Sequence, residues 1–191
     1  MSDLVGHALT TLAKVKQHLG ITSSDDDALL TDLINSITAY IENACGGRRF
    51  KETTYTNELY DGDDFDNWLY LKQYPITGLT KVEYNNGTTD NPDWKENTEG
   101  KDYEKYFERG ALYLSTKYEG KRNYRITYKA GYAEIPDDLE ILANKLVGKI
   151  YDKRKSEGKS SVSLAGASIT WANFTKEEDF DVINYYKKIL V

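Results

Sequence analysis

The chain has 191 residues, enough for one domain with an inserted subdomain. Hydrophobic residues make up 39% and charged residues 29%, with a mean hydropathy of −0.66. With 3 prolines and 14 glycines, this composition excludes a collagen-like or disordered chain and leaves material for a core. No apolar run reaches the ~18 residues of a spanning helix, so no membrane segment is expected. The net charge of −6 is spread as −2 over 1–50, −3 over 51–131 and −1 over 132–191. There is no basic tail of the kind a dedicated nucleic-acid binder carries. The opening MSDLVGHALTT has neither a basic n-region nor an apolar h-region, so no secretory signal is expected.

A single cysteine, Cys45, excludes a disulfide framework and a cysteine-rich zinc site. The two histidines, His7 and His18, leave little for imidazole chemistry. Tyrosine supplies 16 of the 24 aromatic residues, which suits half-buried sheets and protein interfaces.

In chain order, Thr10 or Thr11 is expected to cap a short helix that places Leu12, Val15 and Leu19 on one face, with Gly20 ending it. Ser24 and Asp27 resemble a capping box for a second helix over about 25–45. There Leu29, Leu30, Leu33, Ile34, Ile37, Tyr40, Ile41 and Ala44 form an apolar stripe. Thr31, Asp32, Asn35 and Glu42 are assigned to the other side, and Gly46-Gly47 stops the helix.

From about 50 to 131 the pattern changes to period two. Strands are expected over Phe50–Tyr60, Trp68–Leu71, Leu79–Tyr84, Tyr103–Glu108, Ala111–Leu114 and Tyr124–Lys129, with turns at Asn86-Gly87 and Arg109-Gly110. The polar run 85–102 reads as a long loop. Helix returns after Pro136: Asp137 and Asp138 lie in a first turn, and Leu139, Leu142, Ala143, Leu146, Val147, Ile150 and Tyr151 form an apolar face. A last helix begins near Glu177.

Motifs with chemistry are scarce. Asp61-Gly62-Asp63-Asp64-Phe65-Asp66 begins like a calcium loop, but position six is Asp66 and position twelve is Lys72, where that loop needs glycine and a bidentate glutamate. It reads as a solvated turn, and no metal is expected. Gly158-Lys159-Ser160 lacks the upstream glycine of a phosphate loop, and Ser168 lacks the glycine of a nucleophile elbow. Lys149, Lys153, Arg154 and Lys155, like Arg48-Arg49, could touch phosphate. A solvated helix end is the better reading of the first group. No catalytic residue and no cofactor is assigned, and the chain is expected not to be an enzyme.

The segment 160–174 is distinctive. Val162 and Leu164 alternate with serines, and Ile169 and Trp171 alternate with Ser168, Thr170 and Ala172. This suits an edge strand of the chain's own sheet, or an arm that adds to a neighbouring subunit. With the apolar terminus at Ile189 and Leu190, Val162, Leu164, Ile169 and Trp171 are the candidate residues for contact with another subunit or protein partner.

The order of features, LTTLAKVKQHLGITSSDDDALLTDLINSITAYIENACGGRRF, then YDGDD…WLYLKQYPITGLTKVEY, then YRITYKAGYAEIPDDLEILANKLVGKIYDKR, resembles the head–tail connector (adaptor, or head-completion) proteins of long-tailed bacteriophages and prophages. The resemblance implies an α+β fold, a small α-helical bundle with an inserted antiparallel β subdomain between the second and third main helices. It implies one connector domain over 1–191, with 1–49 and 132–191 as helical core and 50–131 as insertion. It also implies a structural virion protein at the head–tail interface, made in the host cytoplasm. Such a protein forms a dodecameric ring below the portal protein, docks a downstream stopper or tail-completion protein, and lets DNA pass without sequence-specific binding. The rival reading is a β-rich carbohydrate- or protein-binding module with helical flanks, using Trp68, Tyr70 and Trp94 as a stacking platform. An acidic hydrolase is a third, for which only the abundance of carboxylates speaks.

Overall fold

A computed structural model describes residues 3–62, 66–107, 110–156 and 177–187. Among them are four helices and antiparallel strands, an α+β fold. The chain divides into two compact units, Met1–Phe50 with Ile135–Val191, and Lys51–Glu134.

The first unit is helical. Helix α1 (Leu12–Leu19) starts at Thr11, whose extended backbone leaves its hydroxyl free to accept from the Lys14 N–H. It ends at Gly20, which takes the left-handed φ of 67° while the Ile21 N–H returns to the Lys16 carbonyl. Helix α2 (Asp27–Ala44) begins differently from expectation. Ser24 does not cap it; Asp26 precedes the first helical residue and makes no side-chain cap bond. The acids at this end are used for tertiary contacts instead. Asp26 Oδ2 accepts from the Tyr151 hydroxyl at 2.6 Å, and Asp27 pairs with Lys16 at 2.6 Å.

Helix α3 (Asp137–Ser156) packs on α1 and α2, and α4 (Glu177–Tyr186) packs on α3. Leu30, Leu33, Ile34, Ile37 and Ile41 of α2 and Leu139, Leu142, Ala143, Leu146, Val147 and Ile150 of α3 are buried. Gly148 brings α1 close to α3, since a Cβ there would lie 3.1 Å from a Leu19 methyl carbon. The buried stripe of α2 is wider than its apolar residues alone. Thr31 and Glu42, assigned to the solvent side, are buried.

The second unit holds two antiparallel sheets. The first has the order β1-β7-β3-β4, from Thr53–Tyr60, Tyr124–Ala130, Ile76–Asn85 and Trp94–Glu96. The second has the order β2-β6-β5, from Trp68–Tyr70, Ala111–Leu114 and Tyr103–Tyr106. Both contribute to one core, which includes Leu69, Leu112, Leu114, Val82, Tyr124, Ile126 and Tyr128. The stretch 85–102 is not a long loop, because it contains β4, paired with β3 from Asn85↔Trp94 to Glu83↔Glu96. The polar turn residues close that hairpin: Asn85 Oδ1 accepts from the Gly87 and Asp93 N–H groups.

Strand β1 carries a bulge between Tyr55 and Glu58, where Asn57 adopts φ 54°. The extra residue shifts the side-chain alternation. Tyr55 and Glu58 thereby both reach Tyr128, the first by ring stacking at 5.2 Å and the second by accepting the Tyr128 hydroxyl at 2.6 Å. Tyr60 also bonds to Glu58 and Tyr128. Burial, with the hydrogen bonds to Glu58, pushes both phenols well above the ordinary tyrosine range.

Candidate functional site

The six predicted contact residues, Val162, Leu164, Ile169, Trp171, Ile189 and Leu190, lie outside the described residues. So do Gly158-Lys159-Ser160, Ser168 and the centre of the acidic turn, 63–65. The candidate surface is therefore built from what brackets the segment, α3 on one side and α4 on the other.

Polar groups fasten helix α4 at both of its ends. Asp179, only 2% exposed, receives Lys145 Nζ at 2.7 Å and Lys149 Nζ at 2.8 Å. Its two oxygens each take one ammonium, so burial of the carboxylate is compensated. At the other end the Tyr186 hydroxyl donates to Asp138 at 2.9 Å, and Arg48 Nη1 donates to the Tyr186 carbonyl at 2.6 Å. Arg48 thus meets the negative end of the α4 dipole. It also lies over the Phe50 ring, which packs edge-on against Tyr186 at 5.6 Å. The Cys45 thiol, pushed up to about 11 by burial, donates to the Ile183 carbonyl.

This arrangement decides two open readings. Arg48 is not offered to phosphate, because it is buried on α4; Arg49 lies 3.1 Å from Glu42 with its side chain 43% exposed. Lys149 is drawn onto Asp179, leaving Lys153 and Arg154 as the exposed cations at the end of α3. On the outside of the same two helices sit exposed apolar groups: Ile141 at 62%, Tyr185 at 80% and Phe180.

The stacking platform of the rival reading is only partly assembled. Trp68 and Tyr70 project from the same face of β2, joined by Tyr106 and Tyr113. Trp68 meets both of these tyrosines edge to face, at 4.7 and 5.2 Å, so the group forms a self-packed cluster. Trp94 is in the other sheet, under the Arg125 guanidinium at 4.5 Å, and Arg125 is itself bidentate on Glu83.

In the acidic turn, Asp61 accepts from the Arg122 N–H at 2.7 Å and pairs with Lys121, which lowers its pKa. Asp66 accepts from the Trp68 N–H. Among the described residues no group of three His, Cys, Asp or Glu side chains gathers as a metal site. No helix among them is long and apolar enough to cross a membrane.

One constellation escaped the sequence reading. His7, Glu42 and Arg49 meet at the end of α2: His7 Nε2 lies 3.6 Å from Glu42 Oε2, and Arg49 Nη1 3.1 Å from the same oxygen. Burial raises the Glu42 carboxyl to about 7, against the opposing pull of Arg49 and the Phe50 N–H. Burial and Arg49 lower His7. The signal was present in the spacing: Thr31, Thr38 and Glu42 fall at i, i+7 and i+11, on the flank of the apolar stripe.

No curated protein matches the sequence. Two solved structures share the fold over the whole chain. One is from the neck of an empty gene transfer agent particle computed with C6 symmetry, with 15% identity, TM-score 0.64 and 95% of that chain covered. The other is from the virion of a native gene transfer agent particle, with 16% identity, TM-score 0.57 and 95% covered. A family model supplies what this fold likeness alone does not: it matches residues 8–189, nearly the entire chain, and the protein therefore belongs to the head completion protein family, a family of structural virion proteins.

Proposed function

We propose that residues 1–191 act as one connector domain, copies of which assemble into a dodecameric ring below the portal. The ring joins capsid to tail, extends the DNA channel and offers a docking surface to a stopper or tail-completion protein. The observation that carries this reading is the head completion family match over residues 8–189. The fold likeness to a neck chain from a particle treated with six-fold symmetry agrees with it. A ring requires a heterologous interface, in which one face of a subunit meets a different face of the next. The proposed contacts are Val162, Leu164, Ile169, Trp171, Ile189 and Leu190, supported by the exposed Ile141 and Tyr185. DNA passing through such a ring must slide, and tight phosphate binding would impede it. The net charge of −6 and the internal engagement of Arg48, Lys145 and Lys149 suit that task.

The test is deletion of residues 160–172, bridged by a short Gly/Ser linker. The variant is expected to keep its melting temperature and to lose ring formation or portal docking. A variant that still assembles and docks like the full chain would remove the segment from the interface.

A further inference from the structure

The first described residues, 3–10, form a strap that is fastened to one stripe of α2. Asn35 accepts the Val5 N–H at 3.0 Å and donates to the Asp3 carbonyl. Thr38 accepts the Leu9 N–H at 3.2 Å, and Glu42 faces His7. Spacings of three and four residues put Asn35, Thr38 and Glu42 on one side of the helix. The first two fastenings are neutral hydrogen bonds, whereas the third is ionisable and badly placed for a charge. Glu42 is 5% exposed, and its Oε1 has no hydrogen-bond partner among the described residues. It stands in the last turn of α2, where the unpaired carbonyls of the helix end disfavour a further negative charge.

The groups facing it are His7 from the strap, and Arg49 and the Phe50 N–H from the segment after α2; the neutral Cys45 thiol lies one turn on. Arg49 and Phe50 favour the carboxylate, while burial favours the acid, and the balance falls near neutrality. His7 is lowered, so it brings no compensating charge above neutral pH.

We infer that Glu42 is a proton-operated latch: with its proton it stays buried beneath residues 3–10, and when it ionises the strap lifts so that water reaches the carboxylate. Linkage fixes the direction. Whatever part of the burial the strap supplies makes the closed form bind the proton more tightly than the open form, so base favours opening by the same factor. Opening exposes Leu9, which is otherwise buried, and the Asn35–Thr38 stripe of α2. The strap is thus a pH-gated cover over one face of that helix.

Amide hydrogen exchange on the full chain tests this. After correction for intrinsic rates, protection at Val5 and Leu9 is expected to fall at least about tenfold between about pH 6 and about pH 8.5, while Ile37 in mid-helix holds its protection. Glu42→Gln is expected to abolish the fall, and the carbon-13 signal of the wild-type Glu42 carboxyl is expected to titrate near neutrality. Equal protection of the strap at both pH values would overturn the latch. So would a fall that survives in Glu42→Gln, or a carboxyl that titrates in the ordinary glutamate range. The carboxyl titration needs no variant, so it decides the matter even if Glu42→Gln folds poorly.

Discussion

Truncation of Leu146 to alanine probes the helical core where α3 meets α1 and α2. Leu146 is 0% exposed, and Leu142, Ala143, Val147 and Ile150 around it on α3 are buried as well. Removing the outer part of the side chain forfeits about 2–2.5 kcal/mol of burial at about 0.8 kcal/mol per methylene. The cavity left behind adds roughly 1–2 kcal/mol, because close-packed neighbours collapse only partly. The expected loss is therefore about 3–4 kcal/mol. Ile141, on the same helix but 62% exposed, is the control, and Ile141→Ala is expected to change stability by less than about 0.5 kcal/mol. Urea titration followed by far-ultraviolet circular dichroism reads both, with a shifted midpoint and an unchanged slope. For a chain of this size the Leu146 variant should also melt roughly 6–16 °C lower. A loss below about 0.5 kcal/mol for Leu146→Ala, or equal losses in the two variants, would refute the assignment of this face to the core.

Asp179→Ala removes the buried carboxylate that Lys145 and Lys149 share; both lysines keep some access to water, so the expected cost is about 1–3 kcal/mol. Hydrogen exchange should show α4 losing protection while Leu146 keeps it. At the β1 bulge, Asn57→Val places a β-branched side chain at φ 54° and is expected to cost about 1–2 kcal/mol in urea unfolding, whereas Asn57→Gly should stay within about 0.5 kcal/mol. Because the folded-state pKa of Glu42 is raised from 4.5 to about 7, its contribution to stability is fully present below the lower value and is lost as pH rises through the upper one. Wild-type stability should fall by about 1–3 kcal/mol across that window, and Glu42→Gln should flatten the profile.

The helices were legible because their apolar residues recur at helical spacing over long windows. Leu30, Leu33, Ile37 and Ile41 of α2, and Leu139, Leu142, Leu146 and Ile150 of α3, are buried as that spacing requires. The Thr11 cap and the Gly20 stop were legible because each acts within one turn of chain. The start of α2 was not. Asp26 and Asp27 answer to Tyr151 and Lys16, partners outside the helix that a local rule does not see. Strand β4 was hidden for a similar reason: Trp94–Glu96 is short, polar and half-exposed, and only its pairing with β3 makes it a strand. The site was harder still. Glu42 reads as a surface acid until the distant His7 and the nearby Arg49 fold against it, and the internal use of Arg48 appears only once α4 is in place.

Assembly on the portal is the most direct test of the central claim. Mass photometry of the purified chain, alone and with its cognate portal, across a concentration series, reads it without labels. The account predicts a discrete species at about twelve times the 21.8 kDa subunit mass, or a portal complex heavier by that amount. A subunit-mass peak alone at every concentration, with the portal mass unchanged when the chain is added, would contradict it.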